Sequence, residues 1–171
     1  LYDDSSANPS AVTRDYVFDV DGRPPMLSVF GGKITTYRKL AEHALDKLVP
    51  FFANMKPAWT RAAPLPGGDI AGADFDRFLS QLQRQHPWLP GELATHYARL
   101  YGTRARLVIG GATTLGELGH HFGGTLYESE IAYLKASEWA RTVEDILDRR
   151  TKHGLHLDSA QRDAVANYLG V

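Results

Sequence analysis

The chain has 171 residues, with 19 Lys and Arg against 20 Asp and Glu, and it contains no cysteine. The near balance of charge argues against nucleic acid as a partner, and the absence of thiols removes disulfides, zinc–thiolate centres and cysteine nucleophiles. Hydrophobic content of 43% and charged content of 23% are those of an ordinary globular domain, and apolar runs of only a few residues are too short to span a membrane. The sequence opens at Leu1 rather than Met, so it is read as part of a longer protein.

Residues 1–11 are polar and turn-rich and read as a loop. From 13 to 20, Arg14, Tyr16, Phe18 and Val20 alternate with Thr13, Asp15, Val17 and Asp19, which is a strand pattern. Residues 21–25, DGRPP, make a five-residue turn, and 26–30, MLSVF, a second strand, so a hairpin is expected. A two-stranded hairpin alone is marginal in water, which points to a larger sheet. Behind Gly31, Gly32 and Lys33 a helix is expected, with Ile34, Tyr37, Leu40, Ala41, Ala44, Leu45 and Leu48 on its apolar face and Pro50 past its end.

Residues 53–73 are rich in Pro, Gly and Ala and read as a linker, with a domain boundary near residue 57. Beyond it the patterns are helical. Helices are expected at 74–86 with Asp74 as N-cap, and at 91–102 with Leu93, Tyr97 and Leu100 inward and Gly102 as the stop. Amphipathic stretches follow at 128–140, 142–151 and 158–170, the last capped by Asp158 or Ser159 with Val165 and Leu169 inward. Residues 110–124 are glycine-rich and read as a loop around one short helix. Five or six short helices make a small bundle. The fold class is therefore mainly α, with a β-hairpin and one helix before the bundle.

The glycine pair asks for an explanation, since a turn needs only one permissive residue. A strand, two glycines and a helix start place unpaired N–H groups and the positive end of the helix dipole at one spot, and Lys33 adds a full charge. A tight turn with a solvated lysine satisfies the same pattern. A nucleotide phosphate loop is excluded, because Leu27 stands where it needs glycine and Ile34 where it needs Ser or Thr.

The segments AVTRDYVFDV and PPMLSVFGGKITTYRKLAEHALDKL, followed in order by PAWTRAAPLPGGDI, HYARLYG and DILDRRTKHGL, resemble the FAD-dependent, aerobic glycerol-3-phosphate dehydrogenases along essentially the whole chain. The resemblance implies the C-terminal portion of such an enzyme. Residues 1–56 would be the tail of the FAD and substrate domain, and 57–171 a C-terminal α-helical domain. It implies oxidation of sn-glycerol 3-phosphate to dihydroxyacetone phosphate, with electrons passed through FAD to a quinone. It also implies a cytoplasmic location, peripheral on the inner face of the cell membrane, and leaves a homodimer open. Gly31, Gly32, Lys33, Ile34 and Thr35 would then meet the flavin edge, with Lys33 also facing substrate. Thr35 and Thr36 equally suit support of the first helical turn. Arg14 would hold the substrate phosphate in a planar, bidentate grip, although such a residue beside Asp15 or Asp19 on a strand is by itself a surface arginine. The chain alone is expected neither to bind FAD tightly nor to turn over.

Seven histidines invite a metal site. The adjacent His120 and His121 would point about 100° apart on a helix, His153 and His156 stand near a helix end, and no carboxylate pair accompanies them at ligand spacing. No metal is expected, and no general base is assigned. Arg149, Arg150 and Lys152 complement a helix C-terminus. Trp59, Trp88 and Trp139 read as core or interdomain packing. A rival function, from residues 57–171 taken alone, is a non-catalytic helical interaction module.

Overall fold

The computed structural model describes residues 16–170. Thr13, Arg14 and Asp15 lie outside them. The chain divides into two compact units between Ala63 and Pro64, while the linker composition placed a boundary near 57.

In the first unit, aromatic and β-branched residues build β1 (Tyr16–Gly22) and β2 (Pro25–Gly31), paired antiparallel from Tyr16↔Gly31 to Gly22↔Pro25. Pairing therefore continues through Gly22 and Pro25. The loop is the two residues Arg23 and Pro24, shorter than the five the composition suggested. One tight 3-10 turn, Ile34–Thr36, leads into α1 (Tyr37–Leu48). Leu40, Ala44 and Leu48 of α1 are half-buried, but Ile34, Tyr37 and Leu45 are exposed. Arg38 and Glu42, both expected on the polar face, are half-buried because they pair at 2.9 Å and share the Thr60 hydroxyl. None of the described residues up to 63 is fully buried.

The second unit holds the core. Asp74 accepts the Arg77 amide at 3.0 Å and starts α2 (Phe75–Gln85). Next come α3 (Gly91–Tyr101) and the short α4 (Ala105–Ile109). Gly102 ends α3 at φ 53°, where a side chain would run into the Gly67 carbonyl; Thr103 N donates to that carbonyl at 3.1 Å, closing the helix end. A miniature hairpin of β3 (His121–Gly123) and β4 (Leu126–Tyr127) stands in the glycine-rich stretch, so His121 is on a strand and not on a helix. Then come α5 (Glu128–Ser137), a π-helical segment Asp145–Arg150, and α6 (Ser159–Leu169). Thr151 marks the π-type spacing, its amide and hydroxyl both donating to the Ile146 carbonyl five residues back. Asp158 caps α6 in a reciprocal capping box with Gln161.

Leu93, Tyr97, Val108, Leu118, Ile131, Leu134, Ile146 and Val165 are sealed from solvent in one core. On α3 the inward stripe is Leu93, Ala94, Tyr97, Ala98 and Tyr101, and Leu100 stays 42% exposed, contrary to the expected face. Small alanines let the neighbouring helices approach, and this rotates the stripe by one position. Trp88 packs on the core, whereas Trp59 and Trp139 are largely exposed and are not core residues. The fold is mainly helical with two small antiparallel hairpins. Among the described residues no helix is long and apolar enough to cross a membrane.

Candidate functional site

The turn between β2 and α1 brings together five of the six residues singled out in the sequence. Gly31 and Gly32 have φ of 80° and 101°, conformations that favour glycine. Gly32 has a second reason to lack a side chain, because a Cβ there would come within 2.9 Å of Leu40 Cδ1. The glycine pair thus lets the chain reverse directly over α1. Lys33 is extended and exposed, and its carbonyl accepts both the amide and the hydroxyl of Thr36 at 3.0 Å. The first-turn support therefore comes from Thr36, which leaves Thr35 and Ile34 exposed beside Lys33. Among the described residues no carboxylate pairs with the Lys33 ammonium. The turn offers an exposed backbone, the Ile34 and Thr35 amides without a preceding carbonyl and a cation uncompensated among the described residues. Arg14 lies outside the described residues.

A second constellation, in the helical unit, was not anticipated. Glu130 of α5 is completely buried and accepts from three side chains. His96 Nε2 of α3 donates to its Oε1 at 2.8 Å, Tyr101 Oη to the same oxygen at 2.6 Å, and His153 Nε2 to Oε2 at 3.3 Å. A carboxylate can only accept, so each Nε2 must carry the proton. Burial alone would raise the Glu130 pKa, but the hydrogen bonds and charges of His153 and His96 outweigh it and hold the carboxyl below its usual range. Burial and the Glu130 charge push the Tyr101 phenol up. The candidate ligand atoms of His96, Glu130 and His153 lie within 4.8 Å of one another, close enough to converge on a metal ion. The three hydrogen bonds already satisfy the carboxylate without one. One signal pointed to this cluster: Glu130 falls on the apolar face of α5, with Ile131, Tyr133 and Leu134. Its partners stand 34, 29 and 23 residues away, beyond any local spacing rule.

His96 and His153 line a cavity of about 690 Å³ between α3 and the 150–157 stretch, together with Arg99, Arg150, Lys152 and His156. The dipole role expected for the basic cluster holds in part. Lys152 Nζ donates to the Asp148 carbonyl at 2.6 Å, but Arg150 Nε reaches the Glu138 carbonyl at 2.8 Å, and Arg149 pairs with Asp145 at 2.8 Å.

Residues 58–169 match the family described as the C-terminal domain of alpha-glycerophosphate oxidase. The chain belongs to that family. The match contains Glu130 and all its partners, while the turn at Lys33 precedes it. Similarity to longer proteins runs through both units. D-Erythritol 1-phosphate dehydrogenase of Brucella abortus is 55% identical over 98% of this chain, which covers 34% of that protein. Aerobic glycerol-3-phosphate dehydrogenase of Escherichia coli is 49% identical over 99% of the chain and 34% of its own length. Alpha-glycerophosphate oxidase of Streptococcus pneumoniae is 31% identical over 88% of the chain and 25% of its own length. The chain thus spans about a third of the length of the first two of these relatives. The similarity to these relatives covers the residues that form the hairpin–helix unit here as well as the helical domain.

Proposed function

We propose that the chain is the C-terminal third of an FAD-dependent dehydrogenase that oxidises sn-glycerol 3-phosphate to dihydroxyacetone phosphate and delivers the electrons to a quinone at the inner face of the cell membrane. The observation that carries this reading is the similarity, over 99% of the chain and so through both units, to an aerobic glycerol-3-phosphate dehydrogenase. The turn at 31–35 fits an edge of FAD: two side-chain-free residues, exposed first-turn amides and an ammonium with no carboxylate partner among the described residues suit a flat, electron-rich group. When bound, FAD supplies the hydride acceptor for C2 of the substrate. Gly31 and Gly32 let the ring edge approach the backbone, and the Ile34 and Thr35 amides donate to it. Lys33 places positive charge where reduction brings negative charge, and it reaches the substrate. Arg14 holds the phosphate dianion through two parallel hydrogen bonds. The apolar residues that the hairpin exposes, Val17, Val29 and Phe30, suit a place within a larger sheet.

The 55% identity to a D-erythritol 1-phosphate dehydrogenase favours one second reading, in which the polyol phosphate is the four-carbon one. An Arg14 phosphate grip serves either substrate. Anaerobic mixing of the complete protein with each polyol phosphate decides. Loss of the oxidised-flavin absorbance with glycerol 3-phosphate supports the proposal, and loss with D-erythritol 1-phosphate alone moves it to the second reading. A complete protein without flavin, or one bleached by neither, overturns both and favours a non-catalytic interaction module.

A further inference from the structure

We propose that the helical unit carries an anion site of its own, a pocket built for the phosphate monoester dianion of a small molecule or lipid headgroup. The pocket is the cavity of about 690 Å³ beside α3, a size suited to a small ligand. Three permanent cations line it, Arg99, Arg150 and Lys152, against the single carboxylate of Glu92. For a chain with net charge -1 this is a local excess.

The decisive feature is how the nearby charges are partnered. Arg149 and Arg162, outside the pocket, are neutralised by Asp145 and Asp148 at 2.8 and 2.9 Å. Of the three that line it, Arg150 and Lys152 hydrogen-bond only to neutral carbonyls, and Arg99 has no side-chain partner among the described residues. Among the described residues Arg99 and Arg150 face no carboxylate partner, and Lys152 acts on Asp148 only through space, without an ion pair. A concave wall focuses such a field, and charge-assisted hydrogen bonds to phosphate oxygens are stronger than neutral ones. His96 and His153 sit on the same wall with Nε2 committed to Glu130, so each ring is fixed, and its Nδ1 donates to a phosphate oxygen only when the ring is the doubly protonated imidazolium. The buried carboxylate does not oppose an anion at full strength, because three donors already offset it. A monocarboxylate would leave most of the three cations uncompensated. A dianion with oxygens on several sides matches them.

The complete flavoprotein is titrated calorimetrically with inorganic phosphate and separately with vesicles of phosphatidylcholine containing phosphatidic acid. The wild type is compared with Arg99→Gln/Lys152→Gln and with Arg99→Gln alone, whose exposed, unpartnered side chain the fold does not need. Binding of either probe, weakened at least tenfold in the double variant and by rising salt with turnover unchanged, is the expected result. Response to free phosphate identifies a soluble ligand, and response to vesicles alone a lipid headgroup. Equal binding by wild type and both variants, or no binding of either probe, overturns the proposal. Free phosphate can also occupy the Arg14 grip, so only the binding lost in Arg99→Gln/Lys152→Gln belongs to this pocket, and flavin bleaching tests the redox reading separately.

Discussion

Glu130→Ala tests whether the buried carboxylate organises the helical unit. The substitution leaves the Tyr101 hydroxyl and His153 Nε2 buried without an acceptor, and His96 Nε2 only partly compensated by solvent, its side chain being 22% exposed. Each stranded buried donor costs about 1–3 kcal/mol, and removing one member of a buried ionic cluster costs about 3–5 kcal/mol in all. At a urea slope of about 2 kcal/mol per M, the unfolding midpoint should fall by about 1.5–2.5 M. The isosteric Glu130→Gln keeps the shape and an acceptor oxygen, and should cost about 1–3 kcal/mol. Urea unfolding followed by far-ultraviolet circular dichroism measures both. Tyr101→Phe combined with Glu130→Ala should cost less than the two single changes added together, because both remove the same hydrogen bond. Strict additivity, or a Glu130→Ala variant as stable as wild type, would refute the role given to the cluster.

Gly32→Ala forces a side chain into φ 101° and against Leu40; it should destabilise the hairpin–helix unit by about 1–3 kcal/mol, seen as faster amide exchange in β2 and α1. The Asp145 carboxyl accepts from the Arg141 amide, the Arg149 guanidinium and the Thr142 amide, which bring its pKa down to about 2. Because the folded value is depressed, its contribution to stability is present above the ordinary value near about 3.9 and is lost as pH falls toward about 2; a carbon-detected titration with a midpoint at the ordinary value would contradict this. In the complete protein, Arg14→Ala should raise the KM for glycerol 3-phosphate at least tenfold, and an unchanged KM would remove the phosphate role.

The helices were legible where one face met one core. The Asp74 and Asp158 caps and the Gly102 stop are local chemistry, and the structure carries all three. What escaped had non-local causes. The β3–β4 hairpin has strands of three and two residues, too short to show alternation. The α3 stripe was placed on Leu100 because alanine carries little hydrophobic signal, yet Ala94 and Ala98 are the buried positions. The spacing around 142–151 is helical, and only the Thr151 bonds to Ile146 reveal the wider turns. The residues of the turn at 31–35 were readable because they are consecutive. The Glu130 cluster was not, since it joins α3, α5 and the segment after the π-helical turns.

The central claim is that this turn faces the flavin. The midpoint potential of the bound flavin, measured in the complete protein for wild type and Lys33→Met, tests it most directly. Loss of the ammonium should move the potential to a more negative value and slow turnover, because the charge gained on reduction would lose a stabilising cation. An identical potential with undiminished turnover would place Lys33 away from the ring and contradict the account.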